Sequence, residues 1–258
     1  GESGVSALAI ILARGGSKGL PGKNTACVGG RPCIAWTIDG AKASERVSRV
    51  VVSSDDPRAL DIARGMEADT VDRPDELASD TATVDDAARH ACESIGWTEG
   101  PVVILYANVP IRPAGLIDEA IERLGRGFDS VQSYAPVGKH HPWWTARLDE
   151  QGAACPWEGD VLNHGVYRRQ DLPAAYIPDG GVIAVTREAL FHRIEGVAPG
   201  PHAFLGARRG GVVTGEGEVI DIDSRVDQLV ADAILRERMG LASGLSEHPP
   251  ARRWRRTG

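Results

Sequence analysis

The chain has 258 residues, 29 basic and 36 acidic, for a formal net charge of −7, and 42% of it is apolar. That apolar share is enough for a sizeable core, so disorder throughout is excluded. Net acidity argues against nucleic acid as a partner, and no apolar run approaches the roughly 20 residues of a membrane helix, so no membrane partner is expected either.

Ala7 to Ala13 (ALAIILA) is a doubly buried strand by its unbroken apolar character. The loop that follows, Arg14 to Asn24, supplies glycines, a hydroxyl and three cations, Arg14, Lys18 and Lys23. Lys42 and Lys139 are the only other lysines of the chain, and between Ser3 and Ile38 there is no Asp or Glu. Glycines let backbone N–H groups approach an anion, and the cations span several phosphate oxygens, so the loop is read as a polyphosphate site. GxGxxG cannot be placed on it. GxxxxGK[ST] fails at Ser17 and Asn24, which argues against a dinucleotide oxidoreductase and a P-loop NTPase.

Pro32 to Ala43 reads as a helix and Val50 to Ser54 as the next strand. Asp56 is placed as a helix N-cap with Pro57 at the first helical position. Thr83 and Asp86 have capping-box spacing before a helix over Ala87 to Ile95. Pro101 to Tyr106 is another buried strand, with a helix around Leu116 to Leu124 after it. The alternation predicts a mostly parallel sheet covered by helices, with ligands at the carboxyl ends of the strands. Between Lys139 and Pro178 periodicity is lost and three of the six tryptophans gather, Trp143, Trp144 and Trp157. This stretch is read as an insertion packed against something, a second subunit or its own core. Gly181 to Thr186 and Glu218 to Ile222 are placed as strands, and Ser224 to Met239 as a closing helix. Cys27, Cys33, Cys92 and Cys155 show no CxxC spacing, and no signal peptide is visible, so a reducing cytoplasm is the expected location.

The loop closely resembles the signature of the acylneuraminate cytidylyltransferases, the CMP-sialic acid synthetases and their relatives. Further segments resemble later blocks of that family in the expected order: Arg73 to Thr81, Val109 to Arg112, His140 to Pro142, Arg169 to Pro173, and Ile220 to Asp223 with Asp227. The resemblance implies an α/β fold, a three-layer, Rossmann-like nucleotidyltransferase domain over 5–138 and 178–240. It implies a dimerisation insertion over 139–177, hence a homodimer, and leaves 241–258 as a flexible tail. An acidic sugar would attack the α-phosphate of CTP, giving a CMP-sugar and pyrophosphate. A Kdo-type or other acid-sugar enzyme is the nearest alternative, although Tyr106 to Pro110 lacks the acid a Kdo enzyme expects. A non-catalytic nucleotide-binding homologue is the alternative of a different class.

Carried over residue by residue, the resemblance makes Arg14, Lys18, Lys23 and Asp223 catalytic. It assigns nucleotide binding to Leu12, Ala13, Arg14, Gly15, Lys23, Asn24, Arg73 and Ala82. Asp221 and Asp223, alternating on a strand, would face one way and hold Mg²⁺. On the sugar side the sequence departs from the family. Tyr106 replaces a glutamine, Asp179 replaces an amide, Ile183 replaces an aromatic hydroxyl, and Trp144 stands at a basic position. Tyr106, Arg169 and Asp179 remain the expected substrate contacts, Arg169 across a dimer interface or in an ion pair with Asp171. His140 and His141 cannot both face one metal on a regular element, so one of them is expected to be structural.

Overall fold

The computed structural model describes residues 6–16, 19–79 and 81–241. Its central sheet has seven strands: β1 Ala7–Ala13, β2 Val47–Ser54, β3 Asp69–Asp72, β4 Val102–Tyr106, β5 Ser130–Pro136, β6 Tyr176–Val185 and β7 Arg209–Val213. Their spatial order is β7-β5-β6-β4-β1-β2-β3. Every pairing is parallel except those of β6, which runs antiparallel to both β4 and β5. β1 is central, so both of its faces are covered. Ala7, Ala9, Ile11 and Ala13 join one core, and Leu8, Ile10 and Leu12 join the other.

The helices longer than one turn are α1 Cys33–Lys42, α2 Pro57–Gly65, α3 Val84–Ser94, α4 Leu116–Leu124 and α5 Arg225–Arg238. α1, α2 and α4 press Ile34, Ile38, Leu60, Ile117 and Ile121 onto the first face, while α3 sets Ala87, Ala88, Ala91 and Cys92 against the second. The three-layer expectation is therefore met. Each fully buried Leu or Ile contributes roughly 1.5–3 kcal/mol of transfer free energy. α5 closes a smaller cluster with Val28, Cys33, Ile111, Ile222, Ala231 and Leu235. Among the described residues no helix is long and apolar enough to cross a membrane.

The expected caps form. Asp56 accepts the Arg58 N–H at 2.9 Å with Pro57 opening α2, and Thr83 Oγ1 accepts the Asp86 N–H at 3.2 Å at the start of α3. α5 begins with a reciprocal capping box between Ser224 and Asp227.

The edge of α3 also holds a buried ionic knot. Asp85 Oδ2 accepts from Arg89 Nη1 at 2.6 Å and lies 3.0 Å from His192 Nε2. Burial raises the Asp85 carboxyl, but hydrogen bonds from Thr83 and Arg89 and the charge of Arg89 together hold it below the usual carboxylate range. A depressed folded pKa gives stability that is present above the unfolded pKa and lost as pH falls through the folded one. Asp85→Asn is therefore expected to lower stability by about 2 kcal/mol at pH 7. The gap to the unsubstituted protein should close on acidification, as denaturant melts across pH 2–7 would show.

One sequence reading is corrected by the fold. Glu218 to Ile222 is not a strand of the sheet. It makes a single antiparallel bridge, Ile220 to Ile111, so Asp221 and Asp223 do not alternate along a ladder. Within the Lys139 to Pro178 stretch, read as a packed insertion, Ala146–Leu148 and Ala154–Pro156 pair as a small hairpin among short 3₁₀ turns. Here Trp143 stacks on His164 with ring centroids 4.7 Å apart, and Trp144 Nε1 donates to Val166 O at 2.7 Å. Of the tail expected over 241–258, residues 242–258 lie outside the described residues.

Candidate active site

A cleft of about 310 Å³ opens at the carboxyl ends of β1 and β4, lined by Leu12, Arg14, Lys23, Asn24, Arg73, Ala82, Tyr106 and Asn108, among others. Leu12, Arg14, Lys23, Asn24, Arg73 and Ala82, expected from the sequence to act on one nucleotide, therefore converge. A larger hollow of about 450 Å³, lined by Trp36, Leu116 and Leu235, has neither Arg14 nor Lys23 in its lining. Lys18 lies outside the described residues.

The loop after β1 is held at both ends. Asn24, 7% exposed, donates from Nδ2 to Arg14 O at 2.8 Å, and the Gly15 N–H is taken by Asp55 Oδ1 at 2.9 Å. Arg14 Nη1 donates to Ser79 O at 3.1 Å, bringing the loop against the Arg73 block. Arg73, 7% exposed, uses Nε and Nη2 on Ser53 and makes no ion pair among the described residues. Burial lowers its guanidinium pKa, and Arg14 adds to that lowering, against the attraction of Asp55. A buried cation of this kind is electrostatically short of an anion. Ala13 itself is fully buried, and its carbonyl accepts from Ser54 Oγ at 2.5 Å, so it frames the loop without lining the cleft.

Lys23 links this cationic half to an acidic one. Its Nζ stands 2.5 Å from Asp223 Oδ1, with the Lys23 side chain 15% exposed and that of Asp223 71% exposed. Gly19 has to be small at this point, since a Cβ there would lie 2.9 Å from Asp223 O. Asp221 sits deeper. Burial, then the charge of Asp223, raises its carboxyl to about 6 despite the opposing charge of Lys23. The 220–223 segment is held although it is not a strand, because Ile220 N–H donates to Ile111 O at 3.3 Å and Ile222 N–H to Asn108 O at 2.9 Å.

The fit of a divalent cation can be judged from this electrostatic state. Two neighbouring carboxylates, one with its pKa raised by the other, lack positive charge even with Lys23 beside them. Among the described residues no set of three or more His, Cys, Asp or Glu is arranged to hold a metal ion. One or two carboxylates completed by phosphates and water is the usual Mg²⁺ arrangement, so the residues fit that ion only together with a nucleotide.

The sugar-side residues do not all meet. Tyr106 lines the cleft, and burial followed by the charge of Asp221 raises its phenol, which stays a neutral donor. Asp179 has both oxygens engaged, Oδ1 by Ser133 Oγ at 2.5 Å and the Gly181 N–H at 2.9 Å, Oδ2 by Thr214 Oγ1 at 2.5 Å. It fixes a bulge of β6, where Gly180 has φ +75° and a Cβ on Gly181 would lie 2.8 Å from Ser133 Oγ. Ile183 is buried in the sheet opposite Ile104, and Trp144 belongs to the insertion. Arg169 is exposed and pairs with Glu216 at 3.0 Å, while Asp171 is taken by Arg168 at 2.6 Å. The expected alternative partner of Arg169 is thus its neighbour's. His141 is structural, as one of the pair was expected to be. Its Nδ1 accepts the Trp143 N–H at 3.1 Å, leaving Nε2 to donate to Pro173 O at 3.1 Å.

Sequence reasoning missed Asp55, Asn108 and a role for Arg112. Arg112 donates to Gly181 O at 2.6 Å, Tyr106 O at 3.0 Å and Thr37 Oγ1 at 3.0 Å, tying the cleft wall to β6 and α1. Its place in the Val109 to Arg112 block was the available signal.

The cytidylyltransferase family profile matches residues 8–174. The N-acylneuraminate cytidylyltransferase of Streptococcus agalactiae is 30% identical over 90% of this chain and 55% of its own length. The pseudaminic acid cytidylyltransferase of Campylobacter jejuni is 36% identical over 70% of this chain and 79% of its own. The chain spans about half the length of the first of these relatives. In three dimensions it superposes on a CMP:2-keto-3-deoxy-manno-octonic acid synthetase solved with CTP. The TM-score is 0.65 at 16% identity, covering 90% of this chain and 99% of that one, a likeness of fold.

Proposed function

The chain belongs to the cytidylyltransferase family, and from that premise we propose that it activates a nonulosonic, sialic-like sugar acid with CTP, releasing pyrophosphate. The anomeric hydroxyl of the sugar attacks the α-phosphate, a new P–O bond forms as the bond to the β-phosphate oxygen breaks, and the hydroxyl proton is released. Charge builds on the phosphate oxygens during such an in-line displacement, so positioned cations do most of the work. Lys23 and Arg14 supply it, with Lys18 in the same loop, while Asn24, Arg73, Leu12 and Ala82 hold the nucleotide. Asp221 and Asp223 would hold Mg²⁺, which when bound neutralises phosphate charge. The observation that carries this reading is the convergence of Arg14, Lys23, Asn24, Arg73 and Ala82 on one cleft whose lysine reaches Asp223.

On the sugar side, Tyr106 meets the substrate from the cleft, and Asp179 acts indirectly by holding the β6 bulge. Arg169 lies on the Pro136 to Tyr176 face, away from this cleft, and on our reading reaches the sugar of a second copy. The insertion is suited to dimerisation, since Leu148, Trp157 and Tyr167 stand 71%, 60% and 86% exposed in one chain. Four free cysteines suit a reducing cytoplasm.

Incubation with CTP, Mg²⁺ and a panel of nonulosonic acids is expected to release pyrophosphate with at least one member. No release with any acid, from a folded dimer that binds CTP, overturns the reading. Release with 2-keto-3-deoxy-octonate alone would select the Kdo-type alternative.

A further inference from the structure

The segment between β4 and α4 carries a side chain that the reaction above does not use. Asn108 is 8% exposed, yet it lines the cleft beside Lys23 and Tyr106. Its Nδ2 donates to Asp221 Oδ1 and, at 3.2 Å, to Ile222 O, while its main-chain carbonyl accepts the Ile222 N–H at 2.9 Å. One residue therefore grips the acidic segment three times, twice through the backbone of Ile222 and once through the carboxylate of Asp221.

Asn108 is itself firmly seated. Arg112 donates to Tyr106 O at 3.0 Å on one side of it and to Val109 O at 2.5 Å on the other. The 220–223 segment has no sheet ladder to orient it, because its only bridge among the described residues is Ile220 to Ile111. Without Asn108, nothing among the described residues would fix the direction of the Asp221 carboxylate.

The chemistry of the donor is also specific. A carboxylate destined for a cation needs its second acceptor oxygen left open and its charge left uncancelled. A Lys or Arg at position 108 would orient Asp221 but neutralise it and repel the ion. A neutral amide orients it without either effect, the usual property of an outer hydrogen bond to a metal-binding group. We propose that Asn108 is a positioning residue for the metal carboxylate, holding Asp221 by Oδ1 and leaving Oδ2 without a hydrogen bond among the described residues, open to a divalent cation brought with the triphosphate. The inference rests on the metal reading of Asp221 and Asp223 given above. It also gives the cation and the sugar-side residue Tyr106 a shared mechanical base, since both hang on the stretch that Arg112 fixes.

The test is Mn²⁺ binding followed by electron paramagnetic resonance in the presence of CTP. The proteins are the unsubstituted chain, Asn108→Ala, Asp221→Asn and the double variant, with CTP affinity measured separately in EDTA. Asn108→Ala is expected to weaken Mn²⁺ about 10-fold, to weaken metal-free CTP by clearly less than that, and to have no further effect in the Asp221→Asn background. If Asp221→Asn leaves Mn²⁺ binding intact, the metal reading itself fails and the proposal with it. If Asp221→Asn abolishes binding but Asn108→Ala does not weaken it, the proposal alone is overturned. An equal loss of metal-free CTP affinity in Asn108→Ala would mark a merely structural role and overturns it too. Should the alanine variant fail to fold, Asn108→Leu fills the same space without a donor, and full Mn²⁺ affinity in that variant has the same overturning force.

Discussion

Lys23→Met is expected to lower kcat/KM for CTP by about 10²–10³-fold, the cost of removing one preorganised cation from a developing oxyanion. Lys23 is the cleft cation that pairs with the acidic segment: its side chain is largely enclosed and its ammonium stands 2.5 Å from Asp223. Its loss removes charge from the phosphates and also leaves Asp221 with less to offset Asp223, since Lys23 is the largest of the influences that lower the Asp221 carboxyl. Steady-state kinetics with CTP varied, beside a melting curve, separate this from unfolding. Lys23→Arg should restore only part of the rate, because a planar fork does not occupy the place of a compact point charge. A Lys23→Met variant that turns over normally would remove the cationic half of the site from the account.

Asp223→Asn is expected to lower Mg²⁺-dependent turnover by about 10²-fold or more, with the fold unaffected. The Asp223 side chain is 71% exposed and makes one ion pair, so little stability depends on it. The same change removes the like charge that raises Asp221. Titrating Mg²⁺ at fixed CTP gives the readout, namely a right-shifted activation curve. An unshifted curve would mean that the two aspartates do not hold the ion.

Much of the fold was legible because its signals were local. Ala7 to Ala13 matches the observed strand at both ends, since a strand covered on both faces must be apolar at every position. Asp56 with Pro57 and Thr83 with Asp86 reported helix starts through groups a few residues apart. The nucleotide side was legible for a related reason. Glycine, cation and amide crowd into one loop that has little else to do.

The rest depended on distant partners. Ile220-Asp-Ile-Asp223 alternates like a strand, yet a strand needs a neighbour along its length, and among the described residues only Ile111 bridges it. Asp179 reads as a substrate contact until Ser133, Thr214 and the Gly181 N–H are seen to occupy it, partners 46 and 35 residues away for the side chains. Arg169 reads as a partner of Asp171 by proximity, but the adjacent Arg168 takes that acid and Arg169 reaches Glu216. Asn108 gave no signal at all, because its importance lies in a contact 113 residues away.

The most direct measurement of the central claim is phosphorus NMR of the reaction with CTP, Mg²⁺ and an accepted sugar acid. The account predicts that the three CTP resonances give way to one phosphodiester resonance and that of inorganic pyrophosphate, in areas of one to two for equimolar products, with attack at the α-phosphate. Appearance of CDP with inorganic phosphate, or of free CMP without a phosphodiester, would place the chemistry at another phosphorus or on water and contradict it.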